Sequence, residues 1–355
     1  MAQAELAREQ IVIPGEERSS ERPVAGLSPW TVLRANAQRA VPAIVVCLAI
    51  LIAVDAGVFR SGLFESQLRV SSPDFPDAKL ALAARTADAR VLYVGDSTVL
   101  TGVVPNQISE ICGCGPGFNG AFAASTPWLT RAMTEQLLQY EHPSLVVIGV
   151  APWDVDDAGH FVDSELAHEL FSPDALAKAG IAVDPATWID AAVARVSAVY
   201  GDRLLIKEFL TSLMPGARYD ESQRGYYAVP GSATSAAQLS AEVGRMKAVH
   251  PGEPSPAAPG AAVITSLVHE LRGRGIDVAF LMPPVHPATY AQNGAFIEQG
   301  DAAVRALAAA EHVQVIDCRS SVTIDDFRDL LHLRPSGATA HSRCVGEALR
   351  ARTAG

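Results

Sequence analysis

The sequence predicts a three-layer α/β fold: a parallel sheet of about five strands with helices on both faces, a largely helical insertion, and a transmembrane helix ahead of it. Three observations carry this expectation. Short β-branched apolar runs without polar alternation recur at 91–94, 145–150, 278–282 and 313–316, the pattern of strands buried on both faces. Amphipathic stretches with helix signals lie between them. Residues 41–59, VPAIVVCLAILIAVDAGVF, are apolar apart from Asp55, about the 20 residues that cross a bilayer.

Taken in order, residues 1–40 read as a cytoplasmic tail without ordered structure. Five Arg and five Glu leave the tail without net charge. Arg34 and Arg39 precede the apolar run and Arg60 and Arg69 follow it, so the charge bias is slight; an N-in anchor is favoured because signal peptides rarely begin so far from their apolar segment. The competing readings are a secretory signal cut after Ala56 and a buried helix of a soluble protein. With the anchor, the chain beyond residue 60 lies outside the cytoplasm and carries the whole net charge of −11. An acidic surface argues against a nucleic-acid partner.

Residues 60–89, with Pro73 and Pro76, read as a juxtamembrane stalk, and residues 90–355 as one domain. Thr126 and Pro127 open a helix whose face carries Leu129, Met133, Leu137 and Tyr140. Ile264, Leu267, Val268 and Leu271 form the stripe of a second helix, which Gly275 ends. A fifth strand is expected over 117–121. The alternation breaks over 153–260, where helical patterns at 164–171, 186–200 and 204–213 precede a looser segment and the return HPGEPSPAAPG. An insertion at the carboxyl end of a central strand lies beside the crevice of an open α/β sheet. It reads as a substrate cap, or as a structural elaboration. Cys112, Cys114, Cys318 and Cys344 lie beyond the span; their three possible pairings stay open.

The strand at 91–94 runs into Gly95-Asp96-Ser97, which would deliver Ser97 to the carboxyl edge of the sheet. A serine hydroxyl becomes nucleophilic when a base, normally a histidine oriented by a carboxylate, accepts its proton. DLLHLRPSGA, residues 329–338, places Asp329 and His332 three apart, between the last strand and the last helix. Asp157 and His160 repeat the spacing inside the insertion, so position, not spacing, singles out the first pair. The acidic group Asp154, Asp156, Asp157 with His160 reads as a solvated loop rather than a cation site, and His341 as a surface group of the last helix. No metal or cofactor is expected.

Gly95-Asp96-Ser97 and Asp329-x-x-His332 resemble the first and last signature blocks of the SGNH/GDSL hydrolases, over roughly 90–152 and 261–350. The resemblance implies a flavodoxin-like sheet, Ser97 as nucleophile, His332 as general base and Asp329 as its orienting acid. GFNGAFAAS, residues 117–125, is similar to the second block. It implies an oxyanion site built from the N–H groups of Ser97 and Ala124, with Gly120 a competitor for the second place. Asn119, Trp153, Asp154 and His286 are the residues expected to contact substrate. The third block departs from the family: Ala151 stands where an oxyanion asparagine is expected, two residues after Gly149.

That departure, the apolar span and the phrase LMPPVHP at 281–287 resemble membrane-anchored SGNH-like proteins that O-acetylate cell-surface polysaccharides (the alginate and cell-wall acetylation type). This implies a single-pass protein of a bacterial cytoplasmic membrane with its domain on the periplasmic or extracellular side. An integral membrane acyltransferase is the implied partner. The alternatives are a membrane-anchored carbohydrate or small-ester esterase and a non-catalytic SGNH-like scaffold.

Overall fold

The computed structural model describes residues 29–59, 76–156, 185–201, 203, 206, 221–228, 233–249 and 252–353. The chain divides into two units, 1–52 and 53–355. Helix α1 (Pro29–Val54) begins inside the segment read as an unordered tail and ends two residues into the second unit. With the π-helical turn Asp55–Phe59 that follows it, the stretch Ala40–Phe59 is 20 residues long and apolar enough to cross a membrane.

The second unit holds the sheet. Its elements are α2 (Pro76–Thr86), β1 (Val91–Val94), α3 (Ser97–Gly102), α4 (Pro105–Cys112), β2 (Gly117–Asn119), α5 (Pro127–Leu137) and β3 (Leu145–Gly149). After the insertion's α6 (Pro185–Val196), α7 (Ala198–Gly201) and α8 (Ala236–Val249) come α9 (Pro259–Gly273), β4 (Asp277–Met282), α10 (Pro287–Ala310), β5 (Gln314–Asp317) and α11 (Pro335–Thr353). The five strands lie in the order β2-β1-β3-β4-β5, and every pair is parallel. This is a flavodoxin-like order, the sheet type the family resemblance implies, with a switch point beside β1.

Alternate strand residues enter different cores, as a period of two requires. Leu92, Val94, Val146, Ile148, Phe280 and Met282 meet Leu82, Leu129, Met133, Leu137, Ile264 and Leu267 on one face. Val91, Tyr93, Val147, Leu281 and Ile316 meet Val99, Leu100, Ile108, Val345 and Leu349 on the other. β1, β3 and β4 therefore read as apolar runs, because neither of their faces is wet, whereas the edge strand β5 is exposed at Gln314 and Asp317.

Three parts differ from the sequence reading. Residues 76–86, inside the segment read as a stalk, form α2, whose Leu82 and Ala83 enter the first core. The buried Lys79 ammonium donates to the carbonyls of Asn119 and Gly225, which satisfies a charge otherwise costly to bury. The helical pattern at 186–200 is interrupted at Ser197, whose Oγ accepts from the Tyr200 N–H at the start of α7. Finally, His341 is buried, with Nδ1 2.9 Å from the Gly102 carbonyl. The segments 164–171 and most of 204–213 lie outside the described residues.

The cysteines pair Cys112–Cys114 and Cys318–Cys344. The second bridge joins the end of β5 to α11 across a separation of 26 residues. Closing a loop of that length restricts the unfolded chain by about 3 kcal/mol. The Cys318→Ser/Cys344→Ser variant is accordingly expected to lose about 3 kcal/mol in denaturant unfolding, with a larger m-value because the unfolded chain is less compact.

Candidate active site

Ser97 is the first residue of α3, directly after the turn that ends β1. Gly95 makes that turn at φ +149°, a conformation L side chains avoid, and a Cβ there would lie 2.8 Å from Val99 Cγ2. Asp96 caps α3 by accepting from the Thr98 N–H at 2.9 Å. Its other oxygen accepts from the Trp153 indole N–H at 3.0 Å. Gly149, at the end of β3, lets α3 settle onto the sheet: a Cβ there would lie 2.1 Å from Val99 Cγ2.

The other half of the site is the loop before α11. Phe327 and Leu333 bridge in antiparallel fashion, and the Arg328 N–H donates to the His332 carbonyl at 2.9 Å. Within this tight loop Asp329 Oδ1 accepts from the backbone N–H groups of Leu331 (3.0 Å) and His332 (2.8 Å). Asp329 Oδ2 lies 2.8 Å from His332 Nδ1. The three-residue spacing thus lets one carboxylate close the turn and hold the ring. His332 Nε2 lies 2.8 Å from Ser97 Oγ across a separation of 235 residues. An ionised carboxylate only accepts, so Nδ1 carries the ring proton and Nε2 is left to accept from the serine hydroxyl.

The electrostatics agree with that arrangement. Burial works against a charged His332, but the hydrogen bond and charge of Asp329, with the charge of Asp96, outweigh it and raise its pKa above the ordinary imidazole value. For Asp329, burial works against the carboxylate, yet the His332 contact and the two backbone N–H groups lower its pKa to about 2. Asp154 differs: burial, followed by the charge of Asp96, pushes its carboxyl well above the usual range.

The residues expected at the oxyanion and substrate positions separate into two groups. Ala124 is exposed at φ +52°, a conformation that favours glycine; among the described residues nothing accepts its N–H. Gly120 is not available for the same task, because its N–H donates to the Tyr93 carbonyl at 2.8 Å. Ala151, where a side-chain donor was expected, is buried, and its N–H donates to Asp154 Oδ2 at 2.8 Å. Trp153 bonds to Asp96, and the charge of Asp96 acts on Asp154.

Asn119 and His286 are brackets of the fold rather than substrate contacts. Asn119 is fully buried; Nδ2 donates to the Val99 and Val103 carbonyls at 2.9 Å, and Oδ1 accepts from the Ala121 N–H at 3.1 Å. It therefore clamps α3 to the loop after β2. Asn119→Ala would leave those buried groups unpaired, with an expected loss of about 3 kcal/mol in denaturant unfolding. His286 caps α10 through Nδ1, which accepts from the Ala288 N–H at 3.0 Å. Its ring meets Phe327 edge-on at 5.3 Å, and its N–H donates to the Leu330 carbonyl at 2.9 Å. Burial lowers its pKa, against the charge of Asp329.

Sequence reasoning missed the support behind His332. Tyr226, from the insertion, packs with Phe327, Leu333 and Ala338. The Arg224 carbonyl accepts from the Asn119 N–H at 2.9 Å, and the Tyr227 N–H donates to the Leu100 carbonyl at 3.2 Å. This part of the insertion therefore builds the site's wall. The one signal for it was the pair Tyr226-Tyr227 in an otherwise loosely patterned segment.

No family model matches the chain, and no curated protein matches its sequence. Solved structures do resemble it at low identity. A lipase/acylhydrolase from Enterococcus faecalis is similar over 74% of this chain and 96% of its own, at 12% identity and a TM-score of 0.37. A carbohydrate acetylesterase from Sinorhizobium meliloti is similar over 74% and 99%, at 12% identity and a TM-score of 0.34. An aryl esterase from M. smegmatis is similar over 75% and 99%, at 13% identity and a TM-score of 0.32.

Proposed function

We propose that this chain is an SGNH-type serine acyltransferase that passes an acetyl group, through an acyl-enzyme on Ser97, to a hydroxyl of a cell-surface polysaccharide. The observation that carries the proposal is the unbroken hydrogen-bond chain from Asp329 through His332 to Ser97 Oγ. Ser97 Oγ attacks the acyl carbonyl while His332 Nε2 takes its proton. The N–H groups of Ser97 and Ala124 receive the oxyanion. The tetrahedral adduct collapses, His332 returns the proton to the departing group, and the acyl-enzyme remains. A sugar hydroxyl then gives its proton to His332, attacks the ester and leaves acylated, restoring the Ser97 hydroxyl.

Ala151 at the asparagine position favours transfer over hydrolysis. A single oxyanion donor is typically worth ~3 kcal/mol for any attacking group, so without it turnover depends on an acceptor held in place by binding rather than on unpositioned water. The span Ala40–Phe59 supports a single-pass anchor in a bacterial cytoplasmic membrane, with an integral membrane acyltransferase as the source of the acyl group. Two disulfides in the domain support an oxidising compartment, hence the periplasmic or extracellular side. The esterase reading uses the same residues and differs only in the acceptor.

Full-length protein in detergent, treated with a fluorophosphonate, is expected to gain one covalent adduct on Ser97. After loading from an aryl acetate, acetyl release to an oligosaccharide should be faster than release to water. Labelling that persists in Ser97→Ala would overturn the site. Release to water alone would make the chain an esterase.

A further inference from the structure

The second unit exposes few large apolar side chains, and they are not scattered. Outside Ala40–Phe59, six large hydrophobic residues are exposed among the described residues, and four belong to α6: Trp188, Ile189, Val193 and Val196, at 52%, 56%, 41% and 77%. At 3.6 residues per turn these four fall within an arc of about 140°. Ala194, on the opposite side, is buried. A helix whose exposed large side chains, among the described residues, are all apolar is built to meet something apolar.

What it meets is indicated by where α6 ends. Ser197 follows its last residue, and the Ser197 hydroxyl donates to Asp55 Oδ1 at 3.0 Å. The same oxygen accepts from the Val199 N–H at 2.9 Å. Asp55 is the acidic residue of the apolar run, and both donors come from the junction of α6 and α7. A carboxylate near the end of a span is costly unless it is paired, and this domain supplies the partners. Asp55 to Phe59, where the apolar run ends, is a single π-helical turn, shorter than about 6 Å, the rise of four α-helical steps, which sets Asp55 in the shallow interfacial zone.

We infer that α6 is a second membrane contact: an interfacial helix whose Trp188, Ile189 and Val193 face enters the lipid beside the exit of the span, held at that depth by Asp55. This rests on the reading of Ala40–Phe59 as an anchor. The partner is a bilayer surface; tryptophan suits the headgroup boundary, where its ring is buried and its N–H stays wet. The device holds the insertion, and with it the wall behind His332, against the membrane.

The test uses full-length protein in nanodiscs of phosphatidylethanolamine and phosphatidylglycerol, with and without brominated acyl chains. Brominated lipid should quench a component of the tryptophan fluorescence that is missing in Trp188→Phe. That component should fall in Asp55→Asn and disappear in Ile189→Glu/Val193→Glu, whose changes lie at exposed positions; fluorophosphonate labelling of Ser97 reports whether each variant is folded. Equal quenching in wild type and Trp188→Phe, in protein that resists alkaline carbonate extraction, would overturn the interfacial helix and leave the anchor standing. Extraction by carbonate would overturn the anchor, and the inference with it. Shielding of Trp188 from aqueous quenchers in native membranes but not in pure lipid would also overturn it, assigning the face to a membrane protein.

Discussion

Ser97→Ala and His332→Ala are each expected to lower kcat for acyl transfer by about 10⁴- to 10⁶-fold, and the double variant hardly further. The two residues act as one unit: without the hydroxyl no acyl-enzyme forms, and without the imidazole the hydroxyl stays protonated at neutral pH. The residual rate belongs to the oxyanion donors and to binding. KM for an aryl acetate should change little, since neither side chain holds the acyl group in the ground state. A Ser97→Ala variant that retained turnover would move the chemistry elsewhere. Two variants that lost activity independently, with multiplying effects, would contradict a single proton path from Ser97 to His332.

The second large effect is expected at Asp329. Asp329→Asn keeps the size of the side chain, but its amide can present a donor to His332 Nδ1, which favours the wrong tautomer and should cost about 10⁴-fold in kcat. The pH profile separates this from a loss of folding. His332 accepts a proton only when neutral, and its pKa is raised above the ordinary value. Activity should therefore decline as pH falls through a point above about 6.5. Asp329, lowered to about 2, stays charged through that range. In Asp329→Asn the carboxylate's upward pull is gone while the burial that lowers the His332 pKa remains. The acid limb of the residual activity should then move to lower pH. An unmoved limb would remove Asp329 from the role of supporting the imidazolium.

Much of the fold was legible in local patterns. Strands buried between two layers produce β-branched apolar runs, and four of the five were readable for that reason; the fifth, expected over 117–121 without such a run, is the shorter Gly117–Asn119. The helix from Pro127 was marked by its proline and by its apolar spacing. Asp329-x-x-His332 was legible because its geometry is local: one carboxylate closes a turn and holds a ring three residues on. Residues whose roles come from distant partners were read less well. His341 looked like a surface histidine, yet the carbonyl of Gly102, 239 residues away in sequence, receives its ring. Asn119 looked like a substrate contact because its three carbonyl and N–H partners at the α3 clamp are invisible in sequence. Gly120 looked like an oxyanion donor until the sheet claimed its N–H for Tyr93.

The sequence by itself determined the parallel α/β core, the apolar span and the chemical identities of Ser97, Asp329 and His332. All of these follow from short-range periodicity or from residue types at a few positions. The tertiary structure decided which oxygens and nitrogens meet. It placed His332 Nε2 on Ser97 Oγ, gave Asp55 to the junction of α6 and α7, and set Tyr226 behind the loop that carries His332. The physical reason is that these contacts join segments far apart along the chain, so the energy that selects them belongs to packing of the whole domain and leaves no period in the sequence.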